Sequence, residues 1–255
     1  MASFRTFAAG VLAALALCSC RPKSPSRLAA FPRRVLWAWE EAQDLRFLKG
    51  REIGVAFYAK HVLLRGDRVL MRPRVSPLRV DEDTPLMAVV RVDGDAREAP
   101  ALDAKQRDGL LRELEEAFAL PRVVALQIDF DARVSERAFY RDLLRDLRSR
   151  HPRMPVSITA LASWCIDDPW IRGLPVDEAV PMLFRMGGGA AKVRERLRQG
   201  RDFRADLATG ALGLSTDESR EMVPISWRRA RRIYVFQGRP WTEENVASLL
   251  QELDR

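Results

Sequence analysis

The segment Leu126-Gln127-Ile128-Asp129-Phe130-Asp131 lies near the middle of the 255-residue chain and alternates apolar with polar side chains. Such alternation is typical of a β-strand, in which successive side chains point to opposite faces. Gln127, Asp129 and Asp131 therefore share one face of the predicted strand. Because a buried carboxylate without a partner is costly, the two aspartates need either a polar partner or a wet cavity on that face.

Seven other β-rich runs surround this segment, and helical patterns separate most of them. The eight predicted strands are Val35–Trp39, Ile53–Tyr58, Leu86–Val92, Val123–Phe130, Val156–Leu161, Ala179–Phe184, Ala211–Ser215 and Ile233–Phe236. The clearest amphipathic helices are Ala104–Phe118, Glu136–Arg150, Ala191–Gln199 and Glu243–Leu253. Eight strands that alternate with helices, in a chain of ordinary single-domain size, predict an α/β protein with one TIM-type (β/α)8 barrel.

Two local patterns refine this fold prediction. Ala38-Trp39-Glu40-Glu41, at the end of the first strand, lacks the glycines of a dinucleotide-binding turn, so the backbone there cannot approach a dinucleotide closely. Val62–Arg74 contains the turn sequence Arg65-Gly66-Asp67 between two apolar runs. We expect a small β-hairpin inserted after the second strand.

The first twenty residues predict export. Arg5 precedes the apolar run Phe7–Leu17, which is too short to cross a bilayer core of ~30 Å and is typical of a signal peptide. The following Leu17-Cys18-Ser19-Cys20 resembles the lipobox of bacterial lipoproteins, with a leucine three residues before the modified cysteine and a small residue directly before it. Cys20 fits this pattern. The alternative is an ordinary cleaved signal with an incidental cysteine pair.

The predicted organisation has three parts. Residues 1–19 form the signal peptide, residues 20–33 hold the lipidated Cys20 and a tether rich in Pro and Ser, and residues 34–255 form the barrel domain. We therefore expect an exported lipoprotein anchored in the bacterial cell envelope, facing the periplasm or at the surface. The membrane is then a partner through the N-terminal lipid.

The net charge of +8 could suggest a polyanionic partner. The arginines, however, are scattered through acidic helices such as Arg112-Glu113-Leu114-Glu115-Glu116, and only five of the 43 basic residues are lysines. Because nucleic-acid binding needs the charge focused on one face, we expect no nucleic-acid partner.

The predicted site lies at the carboxyl ends of the barrel strands, where barrel enzymes place their active sites. Asp129 and Asp131 come from the central strand, and the ends of other strands supply possible companions. The predicted catalytic residues are Asp129, Asp131, Asp217 and Glu218, and the predicted substrate-binding residues are Trp39, Glu40, Gln127, Trp164 and Arg185. Carboxylates, tryptophans and an arginine around one mouth are typical of a sugar site.

Structural roles are the alternative for several of these residues. An aspartate could cap the helix after Ser135, Trp164 could be a core residue, and Arg185 could simply neutralise Asp129 or Asp131. No cluster of metal-ligand residues is visible, and we expect neither a metal nor another cofactor.

Several segments in order resemble the bacterial domain of unknown function 3142. They are Val35–Glu40, Leu126–Ala132, Ser157–Cys165, Val180–Gly187 and Leu212–Glu218. The resemblance implies a glycoside-hydrolase-like TIM barrel in secreted or lipid-anchored proteins, and it brings no established substrate.

A more distant similarity is to the family 18 chitinases, whose fourth strand carries Asp-x-x-Asp-x-Asp-x-Glu. Asp129 and Asp131 match the two middle acids, but Leu126 stands at the first aspartate and Arg133 at the catalytic glutamate. Because arginine cannot deliver a proton at neutral pH, a chitinase mechanism is not supported.

Two functions stay open at this point. The first is a glycoside-hydrolase-like lipoprotein that acts on a cell-envelope or extracellular glycan through carboxylates at the barrel mouth. The second is a non-catalytic lipoprotein that binds glycan or assists envelope assembly on a degenerate hydrolase barrel.

Overall fold

A computed structural model describes residues 26–218 and 222–254 of the chain. The strands of this part are β1 (Arg34–Ala38), β2 (Gln43–Asp44), β3 (Ile53–Arg65), β4 (Arg68–Pro73), β5 (Leu78–Arg79), β6 (Leu86–Gly94), β7 (Val123–Phe130), β8 (Val156–Leu161), β9 (Glu178–Met182), β10 (Ala211–Ser215) and β11 (Arg232–Phe236). Its α-helices are α1 (Ala104–Phe118), α2 (Arg137–Arg150), α3 (Ala162–Ile166), α4 (Ala190–Arg198), α5 (Ile225–Ala230) and α6 (Glu243–Asp254).

Eight of the strands form a closed parallel barrel, which confirms the predicted fold. β1, β3 and β6 to β11 are neighbours in this barrel, and β1 closes it by pairing with both β11 and β3. The four predicted helices are also confirmed, each with ends within one residue of the prediction. In the described chain no α-helix follows β1 or β3, and the pairing of β2 with β5 forms a separate two-stranded sheet there.

The predicted hairpin is present, but its first strand is the second barrel strand itself. β3 does not end at Tyr58. It continues to Arg65 past an irregularity between Tyr58 and Lys60, and it pairs antiparallel with β4. The alternation of buried Val62 and Leu64 with more exposed residues supports this extension, because the apolar side chains keep the strand on the core.

The amino-terminal end of the barrel is closed by residues of the predicted tether. Leu28 and Phe31 are buried in the inner core of the barrel. Arg232 Nη2 donates to the carbonyl of Leu28 at 2.6 Å, and Arg232 Nε donates to that of Pro32 at 3.0 Å. The folded part therefore begins before Arg34. The residues preceding Ser26, with the predicted signal peptide and Cys20, lie outside the described residues.

Candidate functional site

A cavity of about 360 Å³ opens at the carboxyl ends of the barrel strands. Its apolar lining includes Trp37, Trp39, Val89, Leu161, Met182, Phe184, Met186 and Phe236. Its polar lining includes Arg91, Gln127, Asp129, Asp131, Thr159, Ser163, Asp167 and Arg185. The volume and the mixture of aromatic walls with a few converging polar groups are those of a small-molecule site.

Arg91, within β6, holds the acidic groups on one side of the cavity. Its Nη1 donates to Asp129 Oδ2 at 3.0 Å and to Asp131 Oδ2 at 3.2 Å, and its Nη2 donates to Asp93 Oδ1 at 2.8 Å. His61 Nε2 lies 2.9 Å from Asp93 Oδ2. The guanidinium group therefore supplies the positive charge that three neighbouring carboxylates require.

Asp129 is the more buried of the two aspartates. Its side chain is 7% exposed, against 36% for Asp131. The hydroxyl of Thr159, on the neighbouring strand β8, donates to Asp129 Oδ1 at 2.6 Å, so both carboxylate oxygens of Asp129 are hydrogen-bonded. Asp129 is thus fixed in position by two partners.

Asp131 has the chemistry of a proton donor. Burial raises the pKa of its carboxyl group, and the nearby charge of Asp129 raises it further, while Arg91 opposes both effects. A carboxyl group that keeps its proton to higher pH can act as a general acid.

Below the two aspartates, polar side chains are paired with one another. Trp37 Nε1 donates to Gln127 Oε1 at 2.7 Å, and Gln127 Nε2 donates to Ser157 Oγ at 3.1 Å. Gln127 is fully buried. Because its amide is occupied on both sides, Gln127 forms the floor of the cavity and orients Trp37.

The far wall of the cavity is aromatic. Phe184 and Phe236 are stacked, with ring centroids 5.5 Å apart and an angle of 6° between their planes, and Trp39 meets Phe236 edge-on at 6.3 Å. The Arg185 guanidinium lies over Phe236, with Cζ 5.1 Å from the ring centroid. Arg185 has a φ of +51°, a left-handed conformation that non-glycine residues rarely adopt.

The central part of the chain matches a family model described as Domain of unknown function (DUF3142), over residues 82–181. Residues 82–181, the DUF3142 segment, are similar to this domain of unknown function. This match confirms the predicted resemblance for Leu126–Ala132 and Ser157–Cys165, while Val35–Glu40, Leu212–Glu218 and all but the first two residues of Val180–Gly187 lie outside the matched range. No curated protein matches the chain significantly.

The DUF3142 segment contains the polar half of the cavity. Arg91, Gln127, Asp129, Asp131, Thr159 and Asp167 all fall within residues 82–181. The aromatic residues Trp39, Phe184 and Phe236 come from strands on either side of it. The family match therefore covers the acidic groups of the site and Arg91, while Arg185 and the aromatic wall lie outside it.

The structure brings five of the predicted site residues together. Trp39, Gln127, Asp129, Asp131 and Arg185 all line the cavity. Gln127 and the two aspartates face the barrel interior, as the alternation along β7 predicted. Arg91, rather than Arg185, neutralises the aspartates.

The other predicted acids lie outside the lining of the cavity. Glu40 is exposed and pairs with Arg72 at 2.8 Å. Asp217 is exposed, and its backbone N–H donates to Ser215 Oγ. Glu218 accepts from the backbone N–H of Arg185 at 2.7 Å and therefore supports the Arg185 loop. We predicted that Asp217 or Glu218 faces Asp129 across the barrel. This placement does not agree with that prediction.

Trp164 was predicted to contact sugar, and the structure corrects this assignment. It is 4% exposed and packs edge-on against Trp170, with ring centroids 5.1 Å apart, in the core outside the barrel. The reason is that α3 begins at Ala162, directly after β8, so Trp164 belongs to a helix that packs against this core.

Arg91, Thr159 and Asp167 are cavity residues that the sequence analysis missed. A signal for Arg91 was available, because it is the one charged residue in the apolar run Leu86–Val92 and shares a face with Val89. Thr159 alternates with apolar neighbours in the same way on β8. Asp167 follows α3 and pairs with Lys192 at 3.0 Å, and no pattern in the sequence marks it.

The described part of the chain offers neither a metal-ligand cluster nor a reactive thiol. Residues 26–218 and 222–254 contain no group of three or more His, Cys, Asp or Glu side chains that could hold a metal ion. Cys165 is fully buried, and burial raises the pKa of its thiol, which disfavours the nucleophilic thiolate.

Proposed function

We propose that the cavity binds a sugar residue of a cell-envelope or extracellular glycan and that Asp131 acts there as the general acid of glycosidic-bond hydrolysis. The observation that carries this proposal is a half-buried carboxyl group with a raised pKa, placed opposite an aromatic wall at the barrel mouth. Aromatic rings pack well against the apolar faces of pyranose rings, and acid catalysis needs a carboxyl group that is still protonated.

In the proposed reaction, Asp131 donates its proton to the glycosidic oxygen as the bond from that oxygen to the anomeric carbon breaks. The fixed carboxylate of Asp129 stabilises the positive charge that develops on the sugar. Water adds to the anomeric carbon, and Asp167, which follows α3, accepts its proton. Trp39 and Phe236 hold the sugar ring, and Arg185 contacts its hydroxyl groups.

A non-catalytic glycan-binding role is the second candidate, and a specific observation favours it. Asp129 and Asp131 lie on the same strand and share Arg91, so they cannot flank a glycosidic bond from opposite sides. Among the described lining residues, the acid left to oppose them is Asp167, which Lys192 pairs.

The test is to incubate the full-length protein with a panel of envelope polysaccharides and to measure both binding and the release of reducing ends. We expect hydrolysis that slows by ~10²–10⁴-fold in Asp131→Asn, with glycan binding retained. Binding without hydrolysis by the wild type would favour the second candidate. Absence of both would contradict a glycan function.

We also propose that the chain is exported and anchored through a lipid on Cys20, which lies outside the described residues. The resemblance of Leu17–Cys20 to a lipobox supports this location. We propose no nucleic-acid partner.

A further inference from the structure

Arg185 differs from the other charged side chains that line the cavity, because in the described part of the chain no opposite charge is bound to its guanidinium group. Arg91 holds the two aspartates of β7, and Lys192 pairs with Asp167 at 3.0 Å. The cavity therefore offers a ligand one positive charge that is not already neutralised.

Two contacts fix the position of Arg185, although the residue is exposed. Its guanidinium group lies over the Phe236 ring, and an arginine on an aromatic face keeps the N–H groups at its edge free for other partners. Its backbone N–H donates to Glu218 Oε1 at 2.7 Å. Because Glu218 Oε2 accepts from Arg194 Nη2 at 3.3 Å, that carboxylate has a cation of its own, and the side chain of Arg185 stays unpaired.

The backbone also indicates that this position is kept for its side chain. Arg185 has a φ of +51°, a conformation that glycine adopts without strain, and the run Gly187–Gly189 follows two residues later. The loop thus has glycines, but it carries an arginine at the strained position. A Cβ atom added to any of these three glycines would meet nothing within 4 Å, and Gly189 lines the cavity, so there is open space beside Arg185.

We propose that the sugar bound in the cavity is a uronic acid and that Arg185 binds its carboxylate. This inference rests on the proposed function and narrows it, because Arg185 then contacts a carboxylate as well as hydroxyl groups. The planar guanidinium group can donate to both oxygens of a carboxylate at once. A uronic acid carries this group at the edge of the pyranose ring, so the face of the ring stays free to pack against the aromatic wall.

The charge of the cavity favours a carboxylate over a phosphate. A carboxylate carries one negative charge, which matches the one unpaired guanidinium group among the described lining residues. A phosphate monoester carries about 1.5 to 2 negative charges at neutral pH. Asp129 and Asp131 line the same cavity and would repel the excess negative charge.

The test is calorimetric binding of matched monosaccharides to the full-length protein. Glucuronic acid is compared with glucose, and galacturonic acid with galactose, because each pair differs only in a carboxylate against a hydroxymethyl group. We expect the acid of at least one pair to bind about tenfold tighter, the usual gain from hydrogen bonds to a charged group. Arg185→Gln should lose this preference. Arg185→Lys, which keeps the charge but not the planar fork, should retain only part of it.

The matched control is Arg198→Gln. Arg198 is an exposed arginine of α4 that lies 3.6 Å from Glu195 and does not line the cavity, so this variant removes the same charge at another place. It should keep the preference of the wild type for the acid. An equal loss of preference in Arg185→Gln and Arg198→Gln would show that net charge causes it and would overturn the assignment to Arg185.

The other outcomes separate this inference from the proposed function. Equal binding of the acid and the neutral sugar in each pair would contradict an acidic substrate and leave the sugar site standing. Binding of none of these sugars would contradict both proposals. The phosphate and sulfate esters of glucose at the same carbon are the last comparison, and tighter binding of either ester than of glucuronic acid would overturn the choice of a carboxylate.

Discussion

Arg91 neutralises the carboxylates beside the cavity, and its contacts determine how substitutions of those carboxylates should affect stability. Breaking a buried ion pair destabilises a protein by roughly 3–5 kcal/mol when the charge that is left has no other partner. Arg91 has three partners, so the loss of any single carboxylate leaves two others in place. Each aspartate can therefore be tested without leaving the arginine unpaired.

Asp129→Asn should cost about 1.5–3 kcal/mol of unfolding free energy, the usual value for hydrogen bonds to a charged group. It should also reduce glycan binding or hydrolysis, because the charge beside the sugar is lost. Chemical denaturation and a glycan-binding titration measure the two effects. Asp93→Asn is the matched control, since Asp93 contacts Arg91 but does not line the cavity. A stability loss with normal binding in Asp129→Asn would place Asp129 in the scaffold alone.

The raised pKa of Asp131 gives a defined pH dependence. Between its ordinary pKa of 3.8 and the higher value in the folded protein, the folded state binds more protons than the unfolded state, so the contribution of Asp131 to stability falls as the pH rises. Asp131→Asn removes this contribution. Its stability relative to the wild type should thus increase from pH 4 toward neutral pH, as denaturation at a series of pH values would measure. A constant difference would contradict the raised pKa.

At the scale of elements, the packing of the amino-terminal segment against β3 depends on the close contact between Phe31 and Gly54. A Cβ atom built on Gly54 would lie 2.8 Å from Cε1 and Cζ of the Phe31 ring, closer than real contacts allow. Phe31 closes the barrel at this position, and its ring is held in the inner core. The glycine therefore lets the segment before β1 seat against β3.

Gly54→Ala should destabilise the protein by about 1–3 kcal/mol, the usual cost of overpacking a core. Thermal unfolding is the measurement. Gly210→Ala is the control, because a Cβ there has no neighbour within 4 Å. If both variants unfold at the wild-type temperature, Phe31 is not packed against β3 as the structure shows.

At the scale of the whole molecule, the proposed lipid anchor on Cys20 can be tested directly by substituting the two cysteines near the amino terminus. Among residues 26–218 and 222–254, no helix is both long and apolar enough to cross a bilayer. Metabolic labelling with a radioactive fatty acid should mark the wild type and Cys18→Ala but not Cys20→Ala. Label that persists in Cys20→Ala and disappears in Cys18→Ala would move the lipid to the other cysteine.

The barrel and half of the candidate site could be predicted because both rest on local patterns. Three predicted strands, Val123–Phe130, Val156–Leu161 and Ala211–Ser215, match the structure residue for residue. The alternation of apolar and polar residues along β7 was enough to predict which of its side chains face the barrel interior. The predictions that failed concern chain segments beyond strand ends, where Trp164 enters a helix and Glu218 turns back to the Arg185 loop.

The sequence by itself determined the strands, the helices and the face of β7 that carries Gln127, Asp129 and Asp131. These features depend on the periodic spacing of apolar side chains, which is set by residues that are close together in the chain. Only the tertiary structure decided which groups face one another. The pairing of β6 with β7 places Arg91 beside Asp129, and closure of the barrel sets Phe184 and Phe236 across the cavity, because these contacts join residues that lie far apart along the chain.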